Sequence, residues 1–194
     1  MELNTYPLVC TRGVVLYPNQ EIVIDVGRDT SVHAVENAQD NYDKKICLFS
    51  QKELEQENPG KEDIYSVGTL CEVRHIRRFD NFLRVKFRGI KRVKLNNWIN
   101  GSLSDLAEVE ILESEKQDAV EEEALIRMIA DELDRMQGQD RFVAKEIVME
   151  ISKGMGGEFL SDKAVQGLPL DIERKQQYLE TLGVNDRLMM LLQD

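Results

Sequence analysis

The sequence predicts an α+β fold in which a strand-rich part, residues 1–113, precedes a helical part, residues 118–194. Three observations predict it. Before residue 113, several short runs alternate apolar and polar residues, the period of a half-buried strand. After residue 117, apolar residues recur at spacings of three and four, the period of an amphipathic helix. Between them Glu113-Ser114-Glu115-Lys116-Gln117 is polar throughout and interrupts both patterns.

The strands come first. Ile22, Ile24 and Val26 share one face of a strand over residues 21–26. Residues 45–49 are a short, nearly all-apolar strand. Residues 67–76 and 82–95 follow, then 103–112 with Ala107, Val109 and Ile111 on one face. Turn-forming pairs separate these runs: Arg12-Gly13, Pro18-Asn19, Asp80-Asn81 and Asn100-Gly101. Residues 51–63 are polar, contain Pro59-Gly60 and read as a surface loop. One helix interrupts the strands, with Asp29 as its expected N-cap and Val32, Val35 and Ala38 at helical spacing.

The helices follow. Asp118 with Glu121 has the form of a capping box. Leu125, Met128, Ile129, Leu133 and Met136 make one apolar stripe, and Gly138 ends that helix. A second is expected from Asp140, with Val143, Ile147 and Ile151 inward, until Gly154-Met155-Gly156-Gly157 breaks it. A third is expected from Ser161 and a fourth, capped by Asp171, after Leu168-Pro169-Leu170. A fifth follows Asn185, with Leu188, Leu191 and Leu192 inward.

A chain of 194 residues, 42% apolar and 31% charged, can bury a sizeable core. No apolar run approaches the roughly 18 residues that span a bilayer, and the N-terminus has no charged-then-apolar leader pattern. Cys10, Cys47 and Cys71 are odd in number, widely spaced and set among apolar neighbours. They read as reduced, buried thiols of a cytoplasmic protein, and no paired spacing suggests a metal site. The net charge of −11 weighs against nucleic-acid partners and anionic membranes.

Candidate chemistry is sparse. The run Leu83 to Leu95 places Arg84, Lys86 and Arg88 on one face, with Arg74, Arg77 and Arg78 before it. It reads either as a nucleic-acid strand pair or as the solvated side of a half-buried sheet. No outward aromatic is available for base stacking, which favours the second. The acidic residues from Asp105 to Glu123 could meet this basic face, and they lack the glycine turn of a calcium loop. His33 and His75 have no nucleophile at a recognisable spacing. Gly60-Lys61 is followed by Glu62, not by the Ser or Thr of a phosphate loop. No catalytic residue, metal site or cofactor is therefore expected in this chain.

Residues 6–38 carry the most specific pattern. Tyr6-Pro7-Leu8 leads to Arg12-Gly13, Leu16-Tyr17-Pro18 and Asp25-Val26-Gly27-Arg28-Asp29-Thr30-Ser31, then to a helix with Ala34 and Ala38. In order follow Glu57-Asn58-Pro59-Gly60, Ile64 to Thr69, Arg84 to Arg92, Leu168-Pro169-Leu170, Lys175-Gln176, Leu179-Glu180-Thr181 and Asp186-Arg187-Leu188. Together these resemble the N-terminal domain of Lon-type ATP-dependent proteases, whose first segment is a Pro-Leu strand. The chain departs from that family at Arg88, where an acidic or small residue is usual. It also departs over residues 153–167, which lack a Ser/Ala-His before Leu-Pro.

The resemblance implies a PUA-like β pseudo-barrel with one helix, followed by a C-terminal α-helical bundle. It implies a module that engages unfolded or damaged proteins and supports a cytoplasmic hexamer of the parent enzyme. ATP and magnesium would belong to an ATPase module, and the Ser-Lys chemistry to a protease module, neither of which lies in these residues. The final residues Leu191 to Asp194 would fall inside the start of a longer helix. Tyr17, Pro18, Arg28, Asp29, Met128 and Met136 are the candidate substrate-contact residues, with Met149 and Met155 as further adaptable apolar side chains. Two other readings remain open: a stand-alone Lon-domain protein that binds a partner, and a PUA-like RNA-binding module using residues 74–94.

Overall fold

The computed structural model describes residues 4–135 and 141–194. The described residues form six strands and six helices: β1 (Asn4–Thr11), β2 (Glu21–Val26), α1 (Asp29–Asn41), β3 (Lys45–Ser50), β4 (Val67–Arg78), β5 (Leu83–Ile99), β6 (Leu106–Leu112), α2 (Ala119–Arg135), α3 (Arg141–Ser152), α4 (Gly157–Gly167), α5 (Ile172–Glu180) and α6 (Val184–Leu191). They divide into two compact units. The first comprises Met1–Glu113 with Asp171–Leu179, and the second Ser114–Leu170 with Glu180–Asp194. Within the stretch 118–194, α5 thus groups with the strands and not with the other helices.

In the first unit the sheet order is β2-β5-β4-β3-β1-β6, and β6 also pairs with β5. The pairings β1–β3–β4–β5–β6–β1 therefore close on themselves, and β2 lies outside that ring on β5. β1 and β3 run parallel, with Leu8 opposite Cys47 and Cys10 opposite Phe49; the other ladders are antiparallel. β3 reads as an apolar run because both its faces are covered. Ile46 and Leu48 enter one core cluster with Val85 and Phe87. Cys47 and Phe49 enter another with Leu70, Val93 and Val109. α1 closes the first cluster through Ala34, Val35 and Ala38, small enough to let the helix sit close to the strands.

Gly89 sits inside β5 where the β4–β5 register slips between Leu70 and Cys71. A β-carbon there would lie 2.1 Å from the Tyr17 carbonyl oxygen. The chain over Tyr17 to Gln20 makes a turn at this contact: Gln20 N–H donates to the Tyr17 carbonyl at 3.2 Å, and Asn19 has φ 62°. Pro18 and Asn19 thus occupy the two central positions of a type II turn. Asn19 and Gln20 then bond to Gly89, by Asn19 N–H to Gly89 O and Gly89 N–H to Gln20 O.

α5 is anchored to the first unit by side chains that reach backbone carbonyls. Gln176 Nε2 donates to Val67 O at 2.8 Å, and Arg92 Nε donates to Leu179 O at 3.0 Å. Tyr17 Oη donates to Lys175 O at 2.7 Å. Tyr178 and Leu179 are buried.

The second unit packs α2, α3, α4 and α6 around Leu125, Ile129, Ile147, Leu160, Val184 and Leu188. Asp118 caps α2, its Oδ1 accepting from Val120 N–H at 2.8 Å and Glu121 N–H at 3.0 Å. The reciprocal half of the expected capping box is different: the Glu121 carboxylate accepts from Asn185 Nδ2 at 2.8 Å. α4 starts four residues before the expected Ser161. Its first residue, Gly157, is buried, donates its N–H to Glu122 Oε1 at 2.9 Å, and has no room for a β-carbon beside Leu188. A glycine that reads as a breaker in sequence is here a point of close helix approach. The expected ends at Gly138 and Asp140 lie outside the described residues.

Candidate functional site

Of the candidate contact residues, Tyr17 and Pro18 are inside the first unit. Tyr17 is fully buried, and its hydroxyl is committed to Lys175; Pro18 is buried beside it. Arg28 and Asp29 stand together where β2 passes into α1. Arg28 is the N-cap residue, in extended conformation, and makes no side-chain cap. Asp29, expected as the cap, is the first helical residue and is exposed. Its carboxylate still sits where the helix dipole favours negative charge. Met128 belongs to α2 in the second unit and is 54% exposed, so it leaves the stripe expected to bury it. Met149 of α3 is similarly exposed, whereas Met155 packs against the helical core. Met136 lies outside the described residues.

Arg28 organises a surface feature of the first unit. Its guanidinium donates to the Gln51 side-chain oxygen and, at 3.4 Å, to the Cys10 carbonyl. Gln51 is fully buried and donates onward to Gln56 O at 2.9 Å and Glu53 O at 3.2 Å. Arg12 reaches the same Gln56 carbonyl at 3.4 Å. An open cleft of about 320 Å³ lies beside this network, between the end of β1 with Arg12 and the end of β2 with Arg28. A smaller cleft of about 140 Å³ shares Cys10, Arg28 and Ser31 with it and is bounded by Pro59, Trp98 and Asp105. Sequence reasoning missed Gln51, which looks like any other residue of a polar loop.

Burial and, after it, the charge of Arg12 hold the Arg28 guanidinium below its ordinary value. Cys10 lines both clefts, but burial pushes its thiol up to about 12, so it stays protonated at neutral pH. Burial likewise raises Cys47 and Cys71. His33 pairs with Glu36 at 3.4 Å on α1, and His75 is an exposed residue of β4. Among the described residues no group of three His, Cys, Asp or Glu side chains could hold a metal ion. No described helix is long and apolar enough to cross a membrane. The arrangement offers charged donors and backbone edges.

The basic residues of β4 and β5 are largely neutralised within the first unit. Arg84 holds Asp25 with two bonds of 2.7 Å, Lys86 pairs with Glu21 at 2.6 Å and Arg74 with Glu72 at 3.0 Å. Hydrogen bonds from these partners lower Glu21 and Asp25 below the ordinary carboxylate range. Lys91 pairs with Glu113 at 2.6 Å, within the acidic stretch expected to face it.

The family model of the ATP-dependent protease La (LON) substrate-binding domain matches residues 5–193. The chain is similar to the Lon protease of Buchnera aphidicola subsp. Schizaphis graminum, 31% identical over 187 residues, which are 96% of this chain and 24% of that protein. It is similar to the Lon protease of Syntrophomonas wolfei, 33% identical over 194 residues, covering 98% of this chain and 24% of that protein. The chain thus spans about a quarter of the length of these relatives. Among solved structures, the N-terminal domain of Mycobacterium avium complex Lon protease matches with a TM-score of 0.79 at 20% identity, covering 98% of this chain and 97% of that one. That likeness concerns the fold.

Proposed function

Because the chain belongs to the family of ATP-dependent protease La (LON) substrate-binding domains, we propose that it engages unfolded or damaged polypeptides for a Lon-type ATP-dependent serine protease. The family match over residues 5–193 carries this reading. The wider protein would act in cytoplasmic quality control as a hexamer, with this chain helping to hold the copies together. ATP, magnesium and the Ser-Lys chemistry would reside in the remaining three quarters of such a protein. The closed run of pairings from β1 through β6 supports the finer fold reading, a PUA-like pseudo-barrel.

Unfolded chains offer apolar segments with no fixed shape, so their receptor needs exposed, adaptable apolar groups. Met128, Met149, Phe159 and Met189 of the second unit are exposed side chains of that kind. Such contacts are individually weak, because the bound segment loses conformational entropy. A dissociation constant on the order of micromolar to millimolar is expected for one domain, with several copies raising the effective affinity. Fluorescence anisotropy with a reduced, alkylated and permanently unfolded protein tests the proposal. Saturable binding of the unfolded form is expected. Preference for the folded form of the same protein, or no binding to either, overturns it.

A further inference from the structure

The cleft beside Arg28 has a feature that substrate engagement in general does not require. Among the described residues β2 pairs with β5 alone, so its other edge is free. The ladder of β1 with β6 stops at Pro7 and Leu8 N–H still donates to Asp105 O at 3.2 Å, so from Val9 onward β1 has a ladder on the β3 side only. The cleft is lined by Val9 to Arg12 from β1 and the turn after it and by Ile24 to Arg28 from β2 and the turn after it. The Cys10 carbonyl points to the cleft side, where it accepts from Arg28.

The second observation is charge. Arg12 and Arg28 form no ion pair among the described residues, in a chain of net charge −11. Their acceptors are neutral: the Gln51 side chain and the carbonyls of Cys10 and Gln56. Asp25 lines the same cleft, but Arg84 already holds both its oxygens. A pair of guanidinium groups left without a carboxylate is complementary to one.

We propose that this cleft receives a short extended segment of the polypeptide substrate, its backbone pairing with the free edge of β2 and one of its carboxylates held between Arg12 and Arg28. This rests on the reading that the domain engages unfolded chains. Backbone pairing suits that task because every polypeptide carries the same donors and acceptors, so the edge recognises extension and not sequence. The carboxylate then fixes register and direction. It can come from an acidic side chain or from the chain terminus.

Three fluorescent octapeptides of Ser, Thr and Val distinguish the sources. One is C-terminally amidated with an internal Glu, one is amidated with Gln in its place, and one has Gln and a free terminal carboxylate. At least one carboxylate-bearing peptide is expected to bind the 194-residue chain about fivefold or more tighter than the amidated Gln peptide. Arg12→Ala, at an exposed position, should abolish that advantage. N-methylation along the peptide should weaken binding at every second residue, as strand pairing requires. Equal affinity for all three peptides, an Arg12→Ala chain that keeps the preference, or N-methyl effects without the period of two each overturn the proposal. If unfolded protein still binds while these tests fail, the site is wrong and the broader reading stands; absence of any binding to unfolded protein removes both.

Discussion

Arg187 puts a full positive charge at a place in the second unit that water does not reach. Its guanidinium donates to the Thr181 carbonyl at 2.8 Å, to the Leu182 carbonyl at 3.1 Å, and to the hydroxyls of Ser161 and Ser114 at 3.1 and 3.3 Å. Asp162, also buried, lies 3.8 Å from its Nε. Burying both charges costs desolvation energy that the attraction and the added bonds must offset. Removing only one partner takes that compensation from the other buried charge. Arg187→Met should therefore lower stability by about 3–5 kcal/mol, and adding Asp162→Asn should recover part of the loss, as read from urea unfolding midpoints. Equal losses for the single and double substitutions would mean that the ion pair contributes nothing. A single sequence could not announce this residue, because an arginine between Asp186 and Leu188 on an amphipathic helix is normally exposed. The same limit applied at Tyr17, Gln51 and Met128: residue type indicates a tendency to burial, and the packed neighbours decide it. Arg28 surfaced only because it stands in the stretch that resembles the Lon family.

At the scale of the element, two aspartates at helix starts behave differently. Asp118 bonds two backbone N–H groups of α2, whereas Asp29 makes no cap and lies one position inside α1. Asp118→Ala should then cost about 0.5–2 kcal/mol. Asp29→Ala should cost at most the dipole contribution of about 0.3–1 kcal/mol, which salt screens. Thermal unfolding of the two variants at low and high salt checks the contrast, and a larger, salt-independent loss at Asp29 would contradict it. β2, β4, β5 and β6 were legible because one side of each alternates with a period of two. β3 was legible as an apolar run between turn signals. β1 was legible only through the Pro-Leu pattern of the resemblance. Leu8 and Val9 enter opposite core clusters, so no alternation marks it, and Pro7 argues against a central strand. The start of α4 was misread because Gly157 serves close packing and not termination.

On the scale of the whole molecule, helical periodicity tells which side of α5 is apolar but not what that side meets. The sequence therefore held no sign that Gln176 would bond Val67 and that Arg92 would bond Leu179. The chain passes from one unit to the other three times, after Glu113, Leu170 and Leu179. Neither unit is an uninterrupted stretch of sequence.

That path has a consequence for the order in which the protein is made. A ribosome delivers all six strands well before α5 exists, and 66 residues, 114–179, must be added before the first unit has its last piece. At ordinary elongation rates of about 5–20 residues per second the wait is roughly 3–13 s. During it the carbonyls of Val67 and the hydroxyl of Tyr17 have no α5 partner, and the face that α5 covers is open to chaperones or to early attack. Nascent chains stalled with residue 113 outside the exit tunnel should be cut by protease within the strands, and those stalled beyond residue 179 should resist. Equal resistance at both lengths would show that the strands close without waiting. A domain proposed to receive unfinished or damaged chains is itself, for those seconds, an unfinished chain.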